Sequence, residues 1–391
     1  MTTNEIYLNH AGTSWPKPQV VLDAVKEAMS AEPATWPRRF DDAHQAIAEF
    51  FGVNQRAQLL LTPGCTSALA IGIGDALIPS GHRVLTSCWE HHALHRPLLK
   101  LADKGVRVEY IPSQTNELIP DQKKSIDLDW LERELAVGDV GLVAITAACN
   151  VTGELLPYEK VIQLSHRYGA MVMIDAAQVV GWLKLDLDLL GADLVAFGGH
   201  KGLQGPWGIG GLYFSDQARM ECAAANCELP SSNAADVQNI RRPSYCDVGS
   251  VDQFALAGLF AAVKFLGQQD TNSNLATARM QIKKIRKTLE RCEGIRIFGS
   301  FDEGMPTIAL AISGFQSGEV ATHWKRHGLL VGSGVHCAPL AHETLGTPDS
   351  GLVRLSVGLG QPDHEIDEAI DRIMAALNDE KFCSAKQTDH T

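Results

Sequence analysis

The sequence predicts an α/β fold: a mainly parallel sheet in a large domain, followed by a smaller α+β C-terminal domain. Two observations carry this. Short, near-continuous apolar runs alternate with helical stretches, the pattern of strands covered on both faces. Past residue 266 the rhythm changes, with an amphipathic stretch rich in lysine and arginine leading into a few separated strands.

Taken in order, residues 58–61 read as a strand and 66–77 as the helix after it. Strands follow at 83–86, 106–111, 141–146 and 170–174, with helices at 92–102, 129–135 and 158–168. Ligands of such sheets sit beyond the carboxyl ends of the strands. Thr62-Pro63-Gly64, the stretch 87–92, Cys149-Asn150 and Asp175 all fall there, which points to a single site. Residues 221–248 gather Cys, Asn, Ser and Pro and read as a long loop. Helices at 253–266 and 275–291 lead to strands near Ile295, at 307–312 and at 352–356, and to a last helix at 365–377. The expected division is a segment 1–14, a large domain 15–265, a small domain 266–378 and a polar, frayed tail 379–391.

The 391 residues are 45% apolar and 20% charged, enough for two domains with sizeable cores. A net charge of -12 argues against nucleic acid as a partner, because phosphate contacts need clustered Lys and Arg. No apolar run approaches the ~20 residues of a membrane span, so no membrane partner is expected. The first residues lack the basic and apolar regions of a signal peptide. The nine cysteines are scattered, odd in number and without a Cys-x-x-Cys pair. That argues against a disulfide framework or a zinc site and for a reducing cytoplasm.

The chemistry centres on Gly198-Gly199-His200-Lys201-Gly202. Lys201 is either a solvated lysine in a glycine turn or the Schiff-base lysine of a covalently held pyridoxal phosphate. Upstream, the apolar strand ends in Asp175-Ala176-Ala177-Gln178. A carboxylate there suits a protonated pyridine nitrogen, and the amide of Gln178 suits the ring oxygen. A buried Asp175 also requires a cationic partner. Thr62-Pro63-Gly64-Cys65-Thr66-Ser67 joins strand to helix, as a phosphate-binding turn or as simple capping. Of His91, His92 and His95, His91 and His95 could share a helical face and bind metal, but no Glu sits between them as in a zincin, so no metal is expected and His91 offers a flat ring to stack on a cofactor. His336 beside Cys337 lies in a small-residue loop, where an imidazolium would lower the thiol pKa; the alternative is a small buried thiol. Arg354 suits a bidentate carboxylate clamp or a structural ion pair.

Together these residues resemble the class V aminotransferase family, in its cysteine desulfurase and selenocysteine lyase branch. The resemblance runs from Tyr7-Leu8-Asn9-His10-Ala11-Gly12 to Asp363-His364-Glu365-Ile366-Asp367. It is densest at Glu90-His91-His92-Ala93, Asn150-Val151-Thr152-Gly153, Asp175 to Gln178, Gly199-His200-Lys201 and Gly334 to Leu340. It implies the type I fold of pyridoxal-phosphate enzymes, with a seven-stranded sheet. Lys201 would hold pyridoxal 5'-phosphate, Asp175 and Gln178 would contact its ring, and His91 would stack on it. Cys65, Thr66 and His200 would hold the phosphate, with Ser250 reaching across from the partner of a homodimer. Asn150, Arg354, Ala11 and His336 would bind an amino-acid substrate, with the N-terminal segment 1–14 contributing to the active site. Cys337 would take sulfur from cysteine, release alanine and hand the sulfur to an acceptor protein.

The chain departs from the branch's pattern at several positions. Gly199 stands for Ser, Ser67 for Glu, Ser250 for Thr and Gly360-Gln361 for Asn-Thr. Residues 227–247 lack the usual glycine-rich segment and carry Arg241-Arg242-Pro243-Ser244-Tyr245. Three other readings stand beside desulfuration: a carbon-sulfur β-lyase giving pyruvate, an aminotransferase or epimerase, and a catalytically silent scaffold.

Overall fold

The structure, a computed structural model, describes residues 5–115, 123–218, 251–299 and 303–379. Ser250, Arg241 and Arg242, with the rest of the loop expected at 221–248, lie outside the described residues.

A seven-stranded sheet has the spatial order Leu59–Thr62, Gly210–Phe214, Leu194–Gly198, Met171–Asp175, Val140–Thr146, Arg83–Ser87, Val108–Ile111. Six strands run the same way, and Gly210–Phe214 runs against both its neighbours. Alternate side chains enter different cores. Val172 and Ile174 join one apolar cluster, while Met171 and Met173 join the other. This two-sided burial explains why the strands read as unbroken apolar runs. Each fully buried Leu or Ile contributes about 1.5–3 kcal/mol of transfer free energy.

The strands Leu194–Gly198 and Gly210–Phe214 escape the sequence pattern. Gly198, Gly210 and Gly211 read as breakers, yet the sheet needs glycine here. A Cβ on Gly210 would lie 2.4 Å from the Phe197 carbonyl oxygen, and one on Gly211 2.5 Å from the Phe197 ring. Helices Gln19–Ala28 and Trp36–Phe50 were also not singled out by the pattern; both pack on Gln253–Leu266. That last helix has the expected bounds, capped by the Asp252 carboxylate on the N–H groups of Phe254 and Ala255.

Towards the C-terminus, Ile295–Phe298, Thr307–Ile312 and Val353–Ser356 form an antiparallel sheet. The N-terminal strand Ile6–Leu8 pairs in parallel with Leu329–Val331, and Asn9 bridges to Ser356. The first residues are thereby tied to the C-terminal sheet and led across the edge of the large one. No helix among the described residues is long and apolar enough to cross a membrane.

The turn after Leu194–Gly198 is held by a close backbone approach. Gly181 has φ +82°, and a Cβ there would lie 2.2 Å from the carbonyl oxygen of Gly202, the residue after Lys201. Gly181→Ala combines left-handed strain with a backbone clash. It is expected to cost at least about 2 kcal/mol in chemical denaturation; an unchanged midpoint would show that the turn accommodates a side chain.

Candidate active site

The carboxyl ends of five parallel strands and the N-terminal segment enclose a cavity of about 630 Å³. Twelve of the thirteen expected site residues line it: Ala11, Cys65, Thr66, His91, Asn150, Asp175, Gln178, His200, Lys201, His336, Cys337 and Arg354. The thirteenth is Ser250, outside the described residues. Convergence follows from topology, because Thr62, Ser87, Thr146, Asp175 and Gly198 end parallel strands at one edge. The antiparallel strand starts at that edge, so Trp207, Gly208 and Ile209 line the cavity too.

Burial governs the charges. Asp175 is 4% exposed, and burial pushes its carboxyl above the usual range. Its Oδ1 accepts the Ala177 N–H at 2.9 Å and the Cys65 thiol at 3.4 Å. Burial lowers the Lys201 amine, against the opposing pull of Asp175. Cys65 is held well above the usual thiol range by burial and by Asp175, so it stays a protonated donor. Behind them Glu90 is 1% exposed and raised well above the carboxylate range by burial, with Asp175 adding to the shift. Its Oε1 accepts the Ser87 hydroxyl at 2.5 Å, and its buried Oε2 has no partner.

On the opposite wall Arg354 is 5% exposed. Its Nη1 donates to the Asn150 carbonyl at 2.7 Å and its Nη2 to Asn9 Oδ1 at 2.8 Å. Burial lowers its pKa to about 10. No described carboxylate pairs with it, so it is no structural ion pair. Its Nε and Asn150 Oδ1 are both buried without partners. Such orphans on a cavity wall mark a place for a ligand.

The thiol of Cys337 is exposed, on a loop where His336 and Cys337 both have positive φ, +48° and +57°. The loop is pinned from three sides. Asn150 Nδ2 donates to the His336 carbonyl at 2.7 Å, the His92 N–H donates to the Cys337 carbonyl at 2.7 Å, and His336 Nε2 meets the Leu352 carbonyl at 3.0 Å. The expectation of an imidazolium beside the thiol is corrected. Burial, helped by Arg354, pushes His336 down to about 3, so the ring is neutral. His91 and His95 have other partners. His91 Nδ1 caps its helix by accepting the Ala93 N–H at 3.0 Å, while His95 Nε2 turns to the Tyr110 hydroxyl at 2.7 Å. Gln178 spends an amide N–H on the Ala11 carbonyl at 3.1 Å.

The residues present fit pyridoxal 5'-phosphate. The helix Cys65–Gly74 opens into the cavity through the N–H groups of Cys65 and Thr66, and a Cβ on Gly64 would meet nothing within 4 Å. Asp175 and Lys201 supply the buried acid and amine that such a ring and aldehyde require.

The aminotransferase class-V family model matches residues 6–368. The chain belongs to that family. It is similar to a probable cysteine desulfurase of Vibrio cholerae, 27% identical over 394 residues covering 95% of this chain and 93% of that protein. A probable cysteine desulfurase of Mycolicibacterium paratuberculosis is 27% identical over 382 residues, covering 93% of this chain and 54% of that protein. The chain therefore spans about half the length of this relative. Among solved structures, the cysteine desulfurase CsdA of Escherichia coli superposes with a TM-score of 0.81 at 23% identity, covering 95% of this chain and 94% of that one. The expected type I fold is borne out.

Sequence reasoning missed Glu90 as a buried acid, and Thr13, Ser14, Lys17 and Trp207 around the lysine turn. In the sequence Glu90 stands only as part of its motif; its buried setting belongs to the fold. The others meet His200 across 183 to 187 residues or across an irregular turn, where no periodicity reports them.

A neutral Glu90 has a pH consequence. The unfolded glutamate ionises near pH 4.3, whereas the buried one keeps its proton to higher pH, so wild-type stability falls as pH rises past the unfolded value. Glu90→Gln, which copies the neutral acid, is expected to be more stable than wild type at about pH 8, with the gap closing towards about pH 4. Urea midpoints against pH check this; a gap independent of pH would mean that Glu90 is ionised in the fold.

Proposed function

We propose that the protein is a pyridoxal-phosphate enzyme that removes sulfur from L-cysteine, giving alanine and a persulfide on Cys337. The observation that carries this reading is the exposed Cys337 facing the same cavity as Lys201 and the buried Asp175. The names of the relatives support it. Bound there, pyridoxal 5'-phosphate would draw electrons from the amino acid's α-carbon.

The chain's own groups then divide the work. Oδ1 of Asp175 is fixed by Ala177 and Cys65, which would leave its second oxygen for the ring nitrogen. His91, pushed down to about 4 by burial and by Lys201, supplies a neutral ring to stack. The helix start at Cys65 and Thr66, with His200, would hold the phosphate. Arg354 holds the substrate carboxylate, assisted by Asn150. Lys201, its amine pKa lowered by burial, moves the proton at the α-carbon. Cys337 Sγ attacks the substrate sulfur; the carbon-sulfur bond breaks, carbon keeps the electron pair and takes a proton, and the sulfur stays on Cys337 as a persulfide.

Exposed Trp207 at the cavity supports a homodimer in which Ser250 would serve the partner's phosphate. An exposed, rigidly pinned thiol suits transfer of the persulfide to an acceptor protein. The described cysteines are free thiols, which supports a reducing cytoplasm. The C-terminal antiparallel sheet supports a small domain at 266–378 beside a large one at 15–265.

The test is to incubate protein and pyridoxal 5'-phosphate with cysteine and a reductant, and to quantify alanine, pyruvate and sulfide. Alanine equal to sulfide is expected, both lost in Cys337→Ala. Pyruvate surviving in Cys337→Ala would replace this reading with β-elimination. Arg354→Lys, which lacks the guanidinium fork, is expected to lower kcat/KM for cysteine about tenfold or more through KM. A change confined to kcat would remove Arg354 from carboxylate binding.

A further inference from the structure

The His200 side chain has a tautomer that its neighbours dictate. Trp207 Nε1 lies 2.7 Å from His200 Nδ1 and 3.1 Å from Thr13 Oγ1. An indole N–H can only donate. His200 Nδ1 must therefore be the bare, accepting nitrogen, and the proton sits on Nε2. Burial pushes this imidazole down to about 3, which keeps it neutral and preserves the arrangement at working pH. The groups around it agree. Lys201 and Lys17 both act against protonation of the ring. The His200 backbone is fixed as well: its carbonyl accepts the Ser14 N–H at 3.0 Å, the Thr13 hydroxyl at 3.0 Å and Lys17 Nζ at 2.7 Å. The ring lines the cavity together with Gly64, Cys65 and Thr66 at the helix start, and Nε2 has no hydrogen-bond partner among the described residues.

We propose that Trp207 is a positioning residue: by donating to His200 Nδ1 it forces His200 to present an N–H from Nε2 to the phosphate end of the cavity. This rests on the reading of the cavity as a pyridoxal-phosphate site. Without the indole donor either tautomer is open to His200, and the one bare at Nε2 would set a lone pair against an anion. The side chain of Trp207 is 68% exposed, so its position is not explained by core packing.

Binding to cofactor-free protein tests this, with pyridoxal 5'-phosphate and pyridoxal as the two probes. In Trp207→Phe the affinity for pyridoxal 5'-phosphate is expected to fall about tenfold, the worth of one hydrogen bond to a charged group. Affinity for pyridoxal, which has no phosphate, should stay the same. In a His200→Ala background, Trp207→Phe should cost nothing further. An equal loss for both probes, or additive losses, would overturn the proposal in favour of a general packing role. Nitrogen-15 histidine spectra of the wild-type protein need no variant: a proton on Nε2 and none on Nδ1 is expected for His200, and the reverse would overturn it. If wild type binds neither probe, the cofactor reading itself fails; if it binds both and Trp207→Phe matches it, only the role of Trp207 fails.

Discussion

Asp175, Glu90 and Arg354 are buried at one edge of an apolar sheet with the half-buried Lys201 beside them, and desolvation is the largest influence on each. Water cannot relieve their charges, so each has either lost its charge or waits for a counter-charge. Glu90 takes the first course. Burial raises its pKa well above the carboxylate range, and the neighbouring Asp175 adds to the shift, so the pair disfavours carrying two negative charges. Arg354 takes the second, with two donors tied to neutral oxygens and a third buried without a partner. A ligand carrying a protonated ring nitrogen, a carbonyl and a carboxylate-bearing partner would meet each of these demands in turn.

The N-terminal segment binds the two ends of the chain to this edge. Ile6–Leu8 pairs with Leu329–Val331, Ala11 N–H donates to Ser356 Oγ at 2.8 Å, and the Ala11 carbonyl receives Gln178. A few residues later Thr13, Ser14 and Lys17 converge on the His200 carbonyl. Asn9 holds Arg354 from the same segment. The strap therefore touches the amine end, the ring-contacting amide and the carboxylate clamp together. Shifting it would disturb the site at three points, although none of its own side chains has to act in chemistry.

Much of the alternation of strands and helices, and twelve of the residues that line the cavity, were legible in the sequence. Strand ends announce themselves through an apolar run that stops at Asp175, at Asn150 or at a glycine. What escaped was set by contacts between distant residues. Gly210 and Gly211 look like breakers until Phe197 is seen against them. The neutral state of His336 depends on burial and on Arg354, which is remote along the chain, so the expected imidazolium was the natural error. The pairing of Trp207 with His200 crosses only seven residues but runs through an irregular turn, where Gln204 has φ +63°.

The two cavity thiols show how position alone separates roles within one residue type. Cys65 sits against the Asp175 carboxyl, and burial and that neighbour hold its thiol well above the usual range, so it acts as a donor. Cys337 sits on two consecutive left-handed residues, each carrying about 1 kcal/mol or more of backbone strain. The pins from Asn150, His92 and Leu352 hold that strain in place. A relaxed loop would let Cys337 turn towards solvent or collapse onto the wall. The strained one keeps its sulfur exposed at the rim, where it can meet both a small substrate from inside and a larger acceptor from outside.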